Sequence, residues 1–212
     1  MRNLIIIYIF CTAILSAQSG IHNYLFTFNL GNMTTFEGEL LTINSLRAYP
    51  MHNKTGPGLN IGYVKGQTEY CEGHAYHERL IFIQPQVYMQ GKYFGVVPGL
   101  IVFNILESCD GPDGIALPTL SVRFGYLSKL YFSIDALHDI YFGLLSYNIH
   151  LLLFDNFSEI NLGLIKSDFN ESDGFCYSAQ FCIYSNFYLG IRGVYSFENE
   201  LFGTQMILGI AL

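Results

Sequence analysis

The chain has no tryptophan, only six prolines and little charge. Asp, Glu, Lys and Arg make up 13% of its 212 residues, about half the share of an ordinary soluble domain. Bases are the scarcer sign, with 10 Lys and Arg against 17 Asp and Glu and a net charge of −7. That excludes the basic face a nucleic-acid binder needs. After the first 15 residues no window offers the roughly 18 uninterrupted apolar residues of a membrane helix. What is present is apolar and aromatic: 51% hydrophobic residues, 18 Phe, 16 Tyr and 21 Gly. So apolar a chain can fill a core or a lipid-contact surface, which argues against disorder. It also sits badly with a cytosolic enzyme.

The N-terminus reads MRNLIIIYIFCTAILSAQSG. Arg2 supplies the positive end, Leu4 to Leu15 the apolar run, and Ser16–Ala17 the small residues before a cleavage point. This is the pattern of a secretory signal peptide spanning residues 1–17, with Sec-type export as its consequence. Cys11 lies inside the apolar run and not at a cleavage boundary, so a lipoprotein signal is not expected. Cleavage removes Arg2 and moves the mature balance to −8.

From residue 58 onward apolar residues alternate with small or polar ones, the period of a β-strand. Ten segments show it: 58–65, 79–89, 93–104, 118–126, 128–137, 145–154, 158–166, 175–184, 186–197 and 201–212. In 128–137, Leu130, Phe132, Ile134 and Ala136 oppose Lys129, Tyr131, Ser133 and Asp135. In 145–154 both faces look apolar. Lengths of about 8 to 13 residues suit tilted membrane strands. One face carries large aliphatics and aromatics. The other carries Gly, Ser, Asn, Gln and a few charges, which suits a crowded polar lumen. The charged lumen candidates are Arg123, Lys129, Asp135, Glu159 and Arg192.

The connections alternate between longer (66–78, 105–117, 138–144, 167–174) and shorter (90–92, near 127, 155–157, 185). Long outer loops and short periplasmic turns are the habit of outer-membrane barrels, and the one exception is the tight Glu198–Asn199 hairpin, which falls on the long-loop side. Twelve acids fall on the long-loop side, and only Asp155 falls in a short turn.

On these grounds the chain resembles bacterial outer-membrane β-barrel proteins. The likeness is strongest in the final segment, FGTQMILGIAL. There Phe202, Met206, Leu208, Ile210 and Leu212 keep the alternation, although Leu212 stands where the class usually ends in an aromatic. The resemblance implies an all-β, antiparallel, up-and-down transmembrane β-barrel in the outer membrane of a Gram-negative cell. The strand count expected is ten, with eight or twelve as alternatives. Residues 58–212 form the barrel, and residues 18–57 are an N-terminal segment that contributes one extra hairpin if Tyr24–Leu30 and Glu39–Tyr49 are both strands. The implied partners are the lipid bilayer, lipopolysaccharide, and the insertion machinery that reads the C-terminal strand.

Candidate chemistry is sparse. Cys71 and Cys109 both lie in expected outer loops, where an exported protein can join them by a disulfide. Cys176 and Cys182 lie six residues apart on one strand, roughly 20 Å, too far to pair. The run CEGHAYHE offers Cys71, Glu72, His74 and His77 as soft-metal ligands, but the spacing fits no closed zinc signature, and a solvated polar loop accounts for the same residues. No cofactor is implied. A barrel enzyme would need His138, His150 or the His74/His77 loop to meet a serine and a carboxylate. The leading expectation is non-enzymatic: a structural, surface-interaction or narrow-channel role. The alternatives are an outer-membrane lipid-modifying enzyme and a soluble periplasmic barrel that binds an apolar ligand.

Overall fold

The computed structural model describes residues 24–34, 40–50, 54–71, 74–107, 114–138, 145–153, 158–167, 172–184, 186–196 and 202–212. The signal peptide expected over 1–17 lies outside them.

Twelve antiparallel strands close into one barrel, each paired with its neighbours in sequence and β1 with β12. They are β1 (Tyr24–Thr34), β2 (Leu40–Pro50), β3 (Gly56–Cys71), β4 (His74–Gln90), β5 (Phe94–Glu107), β6 (Gly114–Tyr126), β7 (Leu130–Ala136), β8 (Leu145–Leu152), β9 (Glu159–Ser167), β10 (Ser172–Tyr184), β11 (Phe187–Ser196) and β12 (Phe202–Ala211). The expected count of ten is therefore corrected to twelve. The additional pair is the β1–β2 hairpin, registered from Tyr24 opposite Pro50 to Thr34 opposite Leu40. Its alternation is weak in sequence because its inward face mixes types: Leu25, Thr27 and Asn29 on β1, Ile43 and Ser45 on β2, all buried. β1 then closes the ring on β12, with Leu25 opposite Ala211 and Thr34 opposite Phe202. With an even number of strands, both chain ends of the barrel lie on one rim, together with the short turns.

Side-chain polarity runs the reverse of a soluble barrel. On β7, Leu130, Phe132 and Ile134 are 46%, 43% and 39% exposed, while Tyr131, Ser133 and Asp135 are 1%, 3% and 7% exposed. On β8, Tyr147, Ile149 and Leu151 face out while Ser146, Asn148 and His150 are buried. The segment expected to be apolar on both faces thus sorts like the rest. Two-residue periodicity puts every second side chain on the outside, and here that side is the apolar one on strand after strand.

Among the described residues the strands are unequal in length. β3, β4 and β5 run 16, 17 and 14 residues, whereas β7, β8 and β9 run 7, 8 and 9. The expected loop 66–78 is largely strand: β3 and β4 stay paired out to Cys71 opposite His74, past a register shift between Lys65 and Thr68. β7 stops early, and Leu137 follows it with a φ of +49°, left-handed backbone that non-glycine residues seldom adopt. That turn sends His138 inward, where it is 5% exposed.

Candidate lumen site

The lumen is filled by a hydrogen-bonded network around a cavity of about 100 Å³. Apolar clusters bracket it. Ile43, Cys176 and Val194 pack together toward the long-loop end. Leu25 with Tyr188, and Leu127 with Tyr131 and Leu152, pack toward the rim that holds the termini.

His138 is the centre of one half of the network. Nη2 of Arg47 and Nη2 of Arg123 lie 3.4 and 3.3 Å from its Nε2. A guanidinium can only donate, so Nε2 offers its lone pair to both. The Gln84 amide donates to the backbone carbonyls of Leu137 (3.0 Å) and His138 (2.9 Å), and the Gln86 amide also donates to the His138 carbonyl (3.1 Å). β4 thus clasps the inturned segment by its backbone. Arg123 is held further by Gln90 Oε1 (3.0 Å) and Ser121 Oγ (3.3 Å), with its guanidinium 5.2 Å over the Tyr88 ring and 5.8 Å over the Tyr131 ring.

The other half is built on β7, β8 and β9. Ser133 Oγ donates to Asp135 Oδ2 at 2.6 Å and lies 2.9 Å from His150 Nε2. The other ring nitrogen of His150, Nδ1, is paired with Glu159 Oε1. Tyr131 stacks flat on the imidazole, ring centroids 4.2 Å apart and 5° from parallel. Asn148 donates to Asp135 Oδ2 (2.7 Å) and to Ser146 Oγ (2.9 Å), and accepts from the Cys176 thiol (3.2 Å). Opposite, Arg192 Nε donates to Gln205 Oε1 at 2.6 Å, and the Gln205 amide donates to the Ile43 carbonyl at 2.9 Å.

Of the lumen charges expected from sequence, Arg123, Asp135 and Arg192 are buried, and Glu159 lines the cavity with them. Lys129 instead lies exposed in the turn before β7. Cys109 and Glu72 lie outside the described residues. Cys71, His74 and His77 are described only as strand backbone, which leaves the disulfide and metal expectations outside the described side chains. Cys176 is buried in the lumen and Cys182 half-buried. Sequence reasoning missed Arg47, which sits in the blurred β2 segment, and the inward turn of His138. The alternating Gln84, Gln86 and Tyr88 of β4 were the available signal for the face that receives them.

Polar inside and apolar outside, the barrel has the polarity of the outer-membrane class. No family model matches the chain, and no curated protein matches it. Among solved structures it is similar to the outer membrane phospholipase A of Escherichia coli, at 10% identity over 89% of each chain with a TM-score of 0.45. It is also similar to the outer membrane phospholipase dimer of Salmonella typhi with bound calcium, at 8% identity over 89% of each chain with a TM-score of 0.44. At those values neither likeness bears on what this chain does.

Proposed function

We propose that the chain is an integral β-barrel of a Gram-negative outer membrane with a closed lumen, and that its role is structural or surface-interacting, not catalytic. Export through the 1–17 signal and insertion through the β12 strand belong to this reading, as does contact with lipopolysaccharide on the long-loop side. The observation that carries it is the pairing of an apolar outer face with a lumen filled by hydrogen-bonded side chains. Twelve strands enclose more room than eight, yet the His138 segment and the Arg47 and Arg123 guanidiniums take it up. A soluble barrel binding an apolar ligand would need the opposite arrangement. The test is planar-bilayer recording on the refolded full chain. Wild type is expected to show no conductance steps, and His138→Ala, which removes the acceptor shared by two guanidiniums, is expected to show them. Steps from wild type would overturn the closed lumen, and recovery from cells without detergent would overturn membrane insertion.

One observation favours a second reading. Ser133, His150 and Glu159 stand in the order nucleophile, base and orienting acid. Against it, the Ser133 hydroxyl donates to Asp135, and the serine is 3% exposed. As an enzyme, the folded barrel would take a small sulfonyl fluoride on Ser133, read by intact mass and lost in Ser133→Ala and His150→Gln. An unlabelled wild-type barrel removes this reading.

A further inference from the structure

The geometry points to a binding site for the phosphate of an anionic phospholipid, formed by Lys92 and Lys129 on the rim that carries the chain termini. The inference rests on the membrane reading and adds to it a specific lipid contact. Three lysines, Lys54, Lys92 and Lys129, lie exposed in or beside the short turns of this rim. Asp155 is the one acid in the sequence of those turns.

The two lysines stand on a rigid base. The Leu127 amide donates to the Lys92 carbonyl and the Gly125 amide to the Tyr93 carbonyl, both at 3.0 Å, which laces the β4–β5 turn to the β6–β7 turn. The Leu152 amide donates to the Lys129 carbonyl at 2.7 Å and fixes the second turn to β8. Lys92 Nζ lies 5.0 Å from the centre of the Tyr93 ring and 5.5 Å from that of Tyr126, and Lys129 Nζ lies 5.6 Å from Tyr126. Two like charges therefore share one aromatic ring, an arrangement that a bound anion relieves. Cation–π contact holds the lysine heads at the rim instead of letting them extend into solvent.

What lies above them selects the anion. Phe94, Phe124 and Phe132 sit in one cross-strand row, all exposed on the outer face, with Phe124 and Phe132 stacked 6.0 Å apart. Tyr93, 61% exposed, sits between that row and the lysines. Tyrosine at the headgroup level over an apolar belt is the usual order at a membrane surface. An acyl chain against the phenylalanine row carries its phosphate to the lysines. A phosphodiester of net negative charge, such as phosphatidylglycerol, fits better than a phosphatidylcholine, whose own ammonium competes with them.

The full chain is reconstituted into vesicles of equal phosphatidylglycerol and phosphatidylcholine, floated, extracted gently, and its retained lipid read by native mass spectrometry. Wild type should retain phosphatidylglycerol in excess. Lys92→Gln and Lys129→Gln should each cut that excess about five-fold, the factor expected per basic residue near an anionic membrane surface. The Lys→Arg variants should keep it. A chain that floats but retains both lipids equally, or a double Gln variant with the wild-type preference, overturns the phosphate site alone. A chain that does not float overturns the membrane reading, and the site with it.

Discussion

At the scale of the residue, the lumen is specified by what is small as much as by what is charged. Gly62 on β3 faces inward, and a Cβ built there would collide with the Phe82 ring and come within 2.9 Å of the Asn44 carbonyl oxygen. Phe82 is fully buried, so the ring has nowhere to retreat without displacing its neighbours. Gly62→Ala is expected to destabilise the barrel by about 1–3 kcal/mol, the usual range for overpacking. Urea unfolding of the refolded protein in vesicles checks it; an unchanged midpoint would show that the ring repacks freely. The buried charges follow similar logic. Arg123 and Asp135 persist away from water because each is met by several partners, and removing one partner from such a set generally costs more than the pair contributes.

At the scale of the element, each strand is a two-sided ribbon, and the two sides tolerate different changes. Ile149 is 48% exposed near the middle of β8, between the inward Asn148 and His150. Ile149→Arg should cost about 2–4 kcal/mol if that face meets the bilayer centre, read as a lowered unfolding midpoint in vesicles. A soluble barrel would accept the arginine at almost no cost, so an unchanged midpoint would count against lipid contact. The same two-sidedness explains what was legible. β7 was readable because Leu130, Phe132 and Ile134 alternate cleanly with Tyr131, Ser133 and Asp135. β1 and β2 were not, because Leu25, Ile43 and Tyr49 point inward among polar residues and break the contrast. Period 2 reports contrast between faces, and where the lumen itself holds apolar clusters the contrast fades.

At the scale of the whole molecule, two-sided strands followed from local alternation, inside-out polarity from the residue types on each face, and closure and antiparallel order from the resemblance to outer-membrane barrels. The contents of the lumen did not. Ser133, His150 and Glu159 come from three consecutive strands, and their meeting depends on register: Ser133 lies opposite Asn148, and His150 opposite Asn161. No spacing in the sequence announces that. The inward course of residues 137 and 138 depends on one left-handed residue and on two glutamines more than 50 positions away. Long-range pairing of this kind is set by the closed ring and cannot be read from any single segment.

The unequal strand lengths bear on the membrane itself. Seven residues tilted as barrel strands are tilted rise about 18 Å, against roughly 25 Å for the apolar band of an outer-membrane barrel; the 17 residues of β4 rise well beyond it. A hydrophobic span shorter than the bilayer is met by local thinning. On the membrane reading proposed above, lipids beside β7 would compress or splay while those beside β3, β4 and β5 stand at full height. On that reading the protein would carry a lopsided collar of lipid, its softest flank the one nearest Ser133, His150 and Glu159.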